Sequence, residues 1–302
     1  MMTEQTQNIP IRGEHPLKRI LSDFFDNRIA VVALLVFLLI TFFALFATWI
    51  SPQNPFDLKQ ISILDNRLSP GSESMTGIVY WLGTDDQGRD MLSAIFYGLR
   101  ISLFVGGAST GISLLIGIVF GLAAAFWGGR IDNLIMRIVD IQLSFPAILV
   151  AVILIAILGK GIDKVIIAIV LAKWAYFART IRSVALVERQ KEYIDAAICL
   201  ALPRSRVIFR HLLPNSIAPL IVVGAIQMAH AIALEATLSF LGIGLAITEP
   251  SLGLLIANGF EYMLSGKYWI SLFPGIALLI TIFSINLVGD QLRDVLNPRL
   301  QR

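Results

Sequence analysis

Glu188-Arg-Gln-Lys-Glu-Tyr-Ile-Asp-Ala-Ala-Ile-Cys-Leu-Ala-Leu-Pro-Arg-Ser-Arg-Val-Ile-Phe-Arg-His-Leu-Leu-Pro214 is a polar island between long apolar runs, and the rest of the chain is read outward from it. Two short helices are expected in it. The first runs from about Gln190 to Leu202, with Glu192 and Asp195 in its opening turns, where carboxylates complement the positive end of the helix dipole. Pro203 is expected to end it, because a residue before proline is pushed out of the helical region. The second, from about Arg204 to Leu213, is basic and is expected to stop before Pro214. Tyr193, Ala196, Ala197 and Leu200 share one face at i, i+3, i+4, i+7 spacing. The alanines leave a shallow patch that fits either an ordinary amphipathic loop helix or a surface that another protein approaches closely.

The composition places this island in a membrane protein. Of 302 residues, 56% are hydrophobic and only 15% charged, more apolar surface than a soluble domain of this length can hide. The single cysteine, Cys199, excludes an internal disulfide and a cysteine-rich metal site, and the spacing of three histidines far apart in sequence argues against a histidine metal cluster. No metal or other cofactor is therefore expected, and nothing in the charge pattern points to nucleic acid.

Outward from the island, the apolar runs define an all-α membrane protein with six transmembrane helices. Residues 1–28 form a polar tail in which Leu17, Ile20, Leu21, Phe24 and Phe25 repeat with helical spacing, as in a helix lying in the membrane interface. The tail has no early apolar core of the kind a cleaved signal peptide needs. Residues 29–50 are uncharged and long enough for the first span, which takes about 20 residues. Residues 51–98 form the longest loop and an amphipathic helix. In that loop Asp85 and Asp86 could suggest acid–base or metal chemistry, but Thr84, Asp85 and Asp86 are better read as caps for the helix that follows.

A core from 99 to 289 carries the other spans. Ile101–Trp127 contains Gly107-x-x-x-Gly111 and Gly117-x-x-x-Gly121, spacings that let membrane helices pack closely. A short basic connection with Arg130 and Arg137 leads to Ile141–Gly159, kinked at Pro146. The fourth span starts near Val165 and is interrupted by Lys173. A lysine is costly in lipid, so it is expected to face the protein interior or water, with Asp140 or Glu235 as partner. Lys173, Glu235 and Asp140 are thus candidates for a translocation path, or for structural polar contacts within the membrane. Asn215–Leu234 is the fifth span. The stretch after Glu235, to Lys267, is too apolar for an ordinary loop, and irregular backbone at that depth is tolerated only inside protein or along a cavity. Tyr268–Gly289 is the sixth span, and 290–302 is the C-terminal tail.

Lysine and arginine concentrate in the 1–28 tail, the 128–140 connection, the 179–210 region and the C-terminal tail. The positive-inside rule puts these segments, and both termini, in the cytosol. No Gly-x-x-x-x-Gly-Lys-Ser/Thr loop is present, so the chain is not expected to bind and hydrolyse ATP by itself; it is expected to be a transmembrane subunit and not an enzyme.

The island also resembles the coupling loop of binding-protein-dependent ABC importer permeases, whose pattern is Glu-Ala-Ala, three residues, Gly, nine residues, Ile-x-Leu-Pro. Asp195-Ala196-Ala197 and Leu213-Pro214 fit it with spacing intact; Asp195 stands for Glu, Ala201 for Gly and His211 for Ile. Leu82-Gly-Thr-Asp-Asp-Gln-Gly-Arg-Asp90, Phe145-Pro146, Leu238-Ser-Phe-Leu-Gly-Ile-Gly244, Phe273-Pro274-Gly275 and Gly289-Asp-Gln-Leu-Arg-Asp-Val-Leu-Asn-Pro298 extend the likeness over nearly the whole chain. Together they resemble the C-type permeases of dipeptide and oligopeptide importers, the DppC/OppC group, which also serves nickel and other small solutes.

The resemblance implies a type-1 importer permease (MetI-like) fold in a bacterial inner membrane. It implies a sister permease of DppB/OppB type, two ATP-binding subunits of DppD/DppF or OppD/OppF type, and an external solute-binding protein. It further implies peptide uptake by alternating access, with Glu192, Tyr193, Asp195, Ala196, Ala197, Ala201 and Pro214 in the loop that meets the ATPase. Three other readings stand beside it. One is nickel or another small solute on the same machinery. Another is an ion-coupled secondary transporter using Lys173, Glu235 and Asp140, which leaves the 188–214 loop unexplained. The last is a purely structural membrane subunit.

Overall fold

The computed structural model describes residues 16–296 apart from 58, 75–76, 247–248 and 250, with side chains from residue 20 onward. The tail before residue 16, the Leu17 side chain of the expected stripe and Asn297-Pro298 lie outside the described residues. The chain is helical almost throughout. Helix α1 (Pro16–Asp26) turns at Asn27 into α2 (Arg28–Leu45) and the short α3 (Ala47–Ile50). Asn27 Oδ1 caps α2 by accepting from the backbone N–H of Ile29 and Ala30, and its amide donates to Gln291 Oε1 at 2.7 Å. Phe24 is buried with Ala30 and Val295, while Leu21 and Phe25 remain exposed.

Residues 51–90 fold into a compact cover at one end of the bundle. It contains the two-residue strands β1 (Ser72–Glu73) and β2 (Val79–Tyr80), paired antiparallel. Buried Asp65 accepts from Ser74 Oγ at 2.7 Å and Tyr80 OH at 3.3 Å, and Trp269 Nε1 donates to the Thr84 carbonyl. The expected caps are not caps. Asp90 fills that role, its carboxylate accepting from Ser93 N at 2.9 Å. Thr84 instead donates to the Asp65 carbonyl, and Asp85 holds its own loop by accepting from the N–H of Gln87 and Arg89.

Helix α4 (Met91–Trp127) is one continuous rod that starts ten residues before the expected span and ends at Gly128, where φ is +62°. Helices α5 (Gly129–Leu143) and α6 (Ala147–Leu158) follow. The third span is therefore not a straight helix kinked at Pro146, because these two pieces meet at 87°. Proline removes a backbone donor and excludes the helical region for the residue before it, so the chain breaks rather than bends. Helix α7 (Ile162–Arg189) packs along α4. Helix α8 (Glu192–Cys199), the single turn α9 (Arg204–Arg206), a π-helical turn at Val207–Leu212 and α10 (Leu213–Phe240) complete the central part. The apolar stretch after Glu235, read as irregular, contains a regular helix, α11 (Leu252–Phe260), wedged against α10 and α12 (Trp269–Leu296). It fits because Gly253 lies on the Ala236 backbone and Gly259 on that of Ile270, both too close for any side chain.

By length and composition, four helical runs among the described residues can cross a membrane: α2, α4, the run Arg204–Phe240 and α12. The bent α5–α6 pair would make a fifth. Six had been expected. Helix α7 falls short because it carries Lys173, Arg179 and Arg182 along with its apolar residues.

The small-residue motifs also divide. At Gly117 and Gly121 a β-carbon would lie 2.3 Å from Phe177 Cβ and 1.8 Å from Ile181 Cγ2, so this pair makes the α4–α7 contact. Gly107 and Gly111 have no such neighbour. The close approach to α10 is made by Gly106, where a β-carbon would meet Ile232 Cγ1 at 2.4 Å.

Candidate functional site

The 188–214 segment sits at the bundle end opposite the 51–90 cover. Its first helix, α8, is shorter than expected and Pro203 does not end it. The Leu202 N–H bonds back to the Ala197 carbonyl at 3.2 Å and the Ala201 N–H to Ile198 at 2.9 Å, while Ala201 takes φ +51°. This six-to-one and five-to-two pattern around a left-handed residue is a Schellman stop, with Leu202 packed into the same apolar cluster as Ala197. Glycine is the usual residue there, and a side chain in that conformation costs about 1–2 kcal/mol. Ala201→Gly relieves that strain and gives back about 0.4–1 kcal/mol as unfolded-chain entropy. The expected result is stabilisation on the order of 1 kcal/mol or less, read as slower amide exchange in α8. Unchanged or faster exchange would refute the strained stop.

The second helix does not stop before Pro214. It runs from Arg204 through the π-helical turn into α10, with Leu213 N bonded to the Ile208 carbonyl and Pro214 in the first turn of α10. A proline inside a helix lacks one N–H and crowds the carbonyl a turn back, and the wider π turn relieves that crowding. Asn215 Nδ2 donates to the His211 carbonyl at 2.7 Å and Ser216 Oγ to the Leu212 carbonyl at 2.8 Å.

The predicted face of α8 is split by the packing. Ile194 and Ala197 point inward against Val207, Phe126 and Leu202. Ala197 therefore packs within the chain's own fold and does not lie on the open face. Glu192, Tyr193, Asp195, Ala196, Ile198, Cys199 and Leu200 are exposed, Leu200 by 75%. Behind α8 lies a cleft of about 380 Å³ between Phe126, Trp127, Arg189 and Leu202.

Polar bonds tie α8 to the long helices on either side. Tyr193 OH donates to Glu188 Oε1 at the end of α7 and accepts from Asn215 Nδ2 at 3.1 Å at the start of α10. Its ring lies 6.4 Å from that of His211. Burial and the Glu188 carboxylate push the Tyr193 phenol up to about 12. For Glu188, burial favours the neutral acid, but hydrogen bonds from Lys191 and Tyr193 outweigh it and hold the carboxyl below its usual range. Arg189 Nη1 donates to the Ala125 carbonyl at 2.8 Å, at the negative end of α4. Sequence reasoning missed Glu188, Arg189 and Asn215 in these roles, since each partner lies on a different helix. The one local signal was the concentration of charge just before α8.

The three intramembrane candidates do not converge. Asp140 pairs with Arg179 on α7, and beside them Arg182 meets Asp132 through two bonds of 2.5 and 2.6 Å. These pairs pin α5 to α7. Glu235 is fully buried and accepts from Ser102 Oγ on α4 and Ser239 Oγ on α10, each at 2.8 Å. Lys173 Nζ donates to neutral Gln227 Oε1 at 3.1 Å. The expected partnership of Lys173 with Asp140 or Glu235 is thus replaced, and the three residues do not form one ion site. Among the described residues no group of three or more His, Cys, Asp or Glu side chains is arranged to hold a metal ion.

Comparison with known proteins places this arrangement. Residues 117–302 match the family model of the binding-protein-dependent transport system inner membrane component, and residues 15–70 match that of the N-terminal TM domain of oligopeptide transport permease C. A putative peptide transport system permease protein of Brucella abortus is 39% identical over 294 residues, covering 97% of this chain and 96% of that protein. The di/tripeptide transport system permease protein DppC of Pseudomonas aeruginosa is 38% identical over 287 residues, covering 95% and 93%. An inward-facing structure of the MetNI methionine ABC transporter shares the fold at a TM-score of 0.55 and 22% identity, over 68% of this chain and 97% of that one.

Proposed function

The chain belongs to the binding-protein-dependent transport system inner membrane components, as an ABC transporter permease of the DppC/OppC kind, and from that premise we propose that it forms half of the translocation pathway of an ATP-driven peptide importer. In this reading it sits in a bacterial inner membrane with six spans: α2, α4, the α5–α6 pair, α7, α10 and α12. Both termini and α8 face the cytosol, and residues 51–90 lie outside. A sister permease supplies the other half of the pathway. Two ATP-binding subunits supply the energy and a solute-binding protein delivers the cargo. The peptide class rests on the names of relatives that align along nearly their whole length.

The observation that carries the mechanism is the build of α8. One tyrosine hydroxyl ties it to the end of α7 and the start of α10, while Ala196, Ile198 and Leu200 stay open on the same short helix. Exposed apolar side chains at a polar end of a protein mark a partner surface. A short helix held on both sides transmits displacement instead of absorbing it. When the ATPase pair closes, α8 moves with it and carries α7 and α10, which opens the pathway to the other side of the membrane.

Ala196→Arg tests this contact better than a change at Ala197, whose side chain is buried in the chain itself. The variant is expected to insert normally, lose co-purification with the ATP-binding subunits and lower ATP-driven peptide uptake at least tenfold, a loss of about 1.4 kcal/mol or more in contact energy. Wild-type co-purification and uptake would refute α8 as the contact.

A further inference from the structure

The Lys173 ammonium has a neutral partner in a place where a charge needs a counter-charge. Lys173 lies near the middle of α7, half-buried, and its ammonium donates to the Gln227 carbonyl oxygen on α10 at 3.1 Å. Both carboxylates that could have neutralised it are engaged elsewhere, Asp140 by Arg179 and Glu235 by serine hydroxyls. One turn along α10 from Gln227 is His230, exposed on the helix. Tyr176 and Thr180 continue a polar line along α7.

A lysine and a histidine at this depth are expensive in hydrocarbon and face a protein interior or a water-filled path. This chain does not cover His230, so the surface it shares with Lys173 opens toward whatever lies beside α7 and α10. The chemistry there is that of donors. Lys173 brings an ammonium and His230 a ring N–H. Gln227, with its oxygen turned to Lys173, presents its NH2 group as a further donor. A carboxylate is the group such a set recognises, through charge-assisted hydrogen bonds.

We infer that Lys173, Gln227 and His230 form a way-station in the translocation path that engages the C-terminal carboxylate of the peptide in transit. This rests on the peptide-importer reading above. Every linear peptide with a free C-terminus carries that group, so the site is indifferent to side chains. With one full cation and two weaker donors, it holds the carboxylate loosely enough to release it.

The test uses the complete transporter, with sister permease, ATP-binding subunits and binding protein, in proteoliposomes. ATP-driven uptake of one labelled tripeptide is compared with uptake of its C-terminal amide, each supplied at a concentration that saturates the binding protein. Lys173→Met and Lys173→Arg are measured beside the wild type, and each is first checked for intact assembly. The expected result is that Lys173→Met lowers uptake of the free acid at least tenfold while uptake of the amide stays within twofold of wild type. Lys173→Arg should keep most of the free-acid uptake. Equal loss for both peptides would overturn the proposal and point to a carboxylate of the sister permease as the partner of Lys173. No loss for either would overturn it as well. A wild-type complex that assembles and hydrolyses ATP yet moves neither peptide would instead refute the peptide-importer reading, and this site with it.

Discussion

Gly121→Ala is expected to cripple the protein, while Gly111→Ala in the neighbouring motif of the same helix leaves it intact. A methyl group at Gly121 would sit 1.8 Å from Ile181 Cγ2 and 2.6 Å from the Ala178 carbonyl oxygen, whereas nothing lies within 4 Å of the same position at Gly111. Ile181 is β-branched and fully buried, so it has no free rotamer to retreat to, and a backbone oxygen cannot move without its helix. The helices α4 and α7 must separate. Overpacking of a tight interface typically costs 1–3 kcal/mol and sometimes more, and the interface here is among the closest in the fold, so about 3 kcal/mol is expected. The damage should reach the 188–214 segment, because Arg189 and Glu188 at the end of α7 hold α4 and α8. The measurements are thermal unfolding of the purified complex and peptide uptake. Equal stability of Gly121→Ala and Gly111→Ala would show that α4 and α7 do not meet at Gly121.

Arg89→Ala should be comparably severe, and it acts at the other end of the molecule. Arg89 Nε donates to Asp85 Oδ2 at 2.6 Å, with the two side chains 4% and 1% exposed. Oδ1 of the same carboxylate accepts from the N–H groups of Gln87 and Arg89, both at 2.9 Å. Removing the arginine leaves a buried carboxylate without its counter-ion, which costs about 3–5 kcal/mol in comparable sites. The 51–90 cover should loosen and become sensitive to proteolysis while the helices stay inserted. Neutralising both residues, as Asp85→Asn with Arg89→Met, should cost less than Arg89→Ala alone, since no charge is left stranded and the amide oxygen still accepts from the Gln87 and Arg89 N–H groups. A single variant that resists protease as well as wild type would show that the pair contributes nothing to the loop.

The cover also shows where pattern reasoning stops. Thr84, Asp85 and Asp86 have the chemistry of helix caps, and a cap is indeed needed before α4. The residue that caps is Asp90, while Thr84 and Asp85 hold the loop to Asp65, Arg89 and Trp269. Capping propensity identifies residue types that can accept from free N–H groups. It does not say which of several neighbours the loop geometry will bring there. The same limit applies to α8. Helical spacing grouped Tyr193, Ala196, Ala197 and Leu200, but Phe126 and Val207 cover only the side carrying Ile194 and Ala197.

By itself the sequence determined the class of this protein and the place of the polar segment proposed to meet the ATPase. Apolar runs about 20 residues long, a polar island between them, and the spacing from Asp195-Ala196-Ala197 to Leu213-Pro214 are properties of the chain read locally, and they survive in the fold as long helices and α8. What only the tertiary structure decided is pairing across distance. Glu235 meets Ser102, separated by 133 positions; Tyr193 joins Glu188 to Asn215; Lys173 meets Gln227 instead of a carboxylate; and of the two glycine motifs only the second touches α7. The physical reason is that hydrophobic periodicity fixes which residues share a face of one helix, but the rotation and approach of the next helix decide what that face meets. Buried hydrogen bonds and close backbone contacts depend on that second choice to within an ångström.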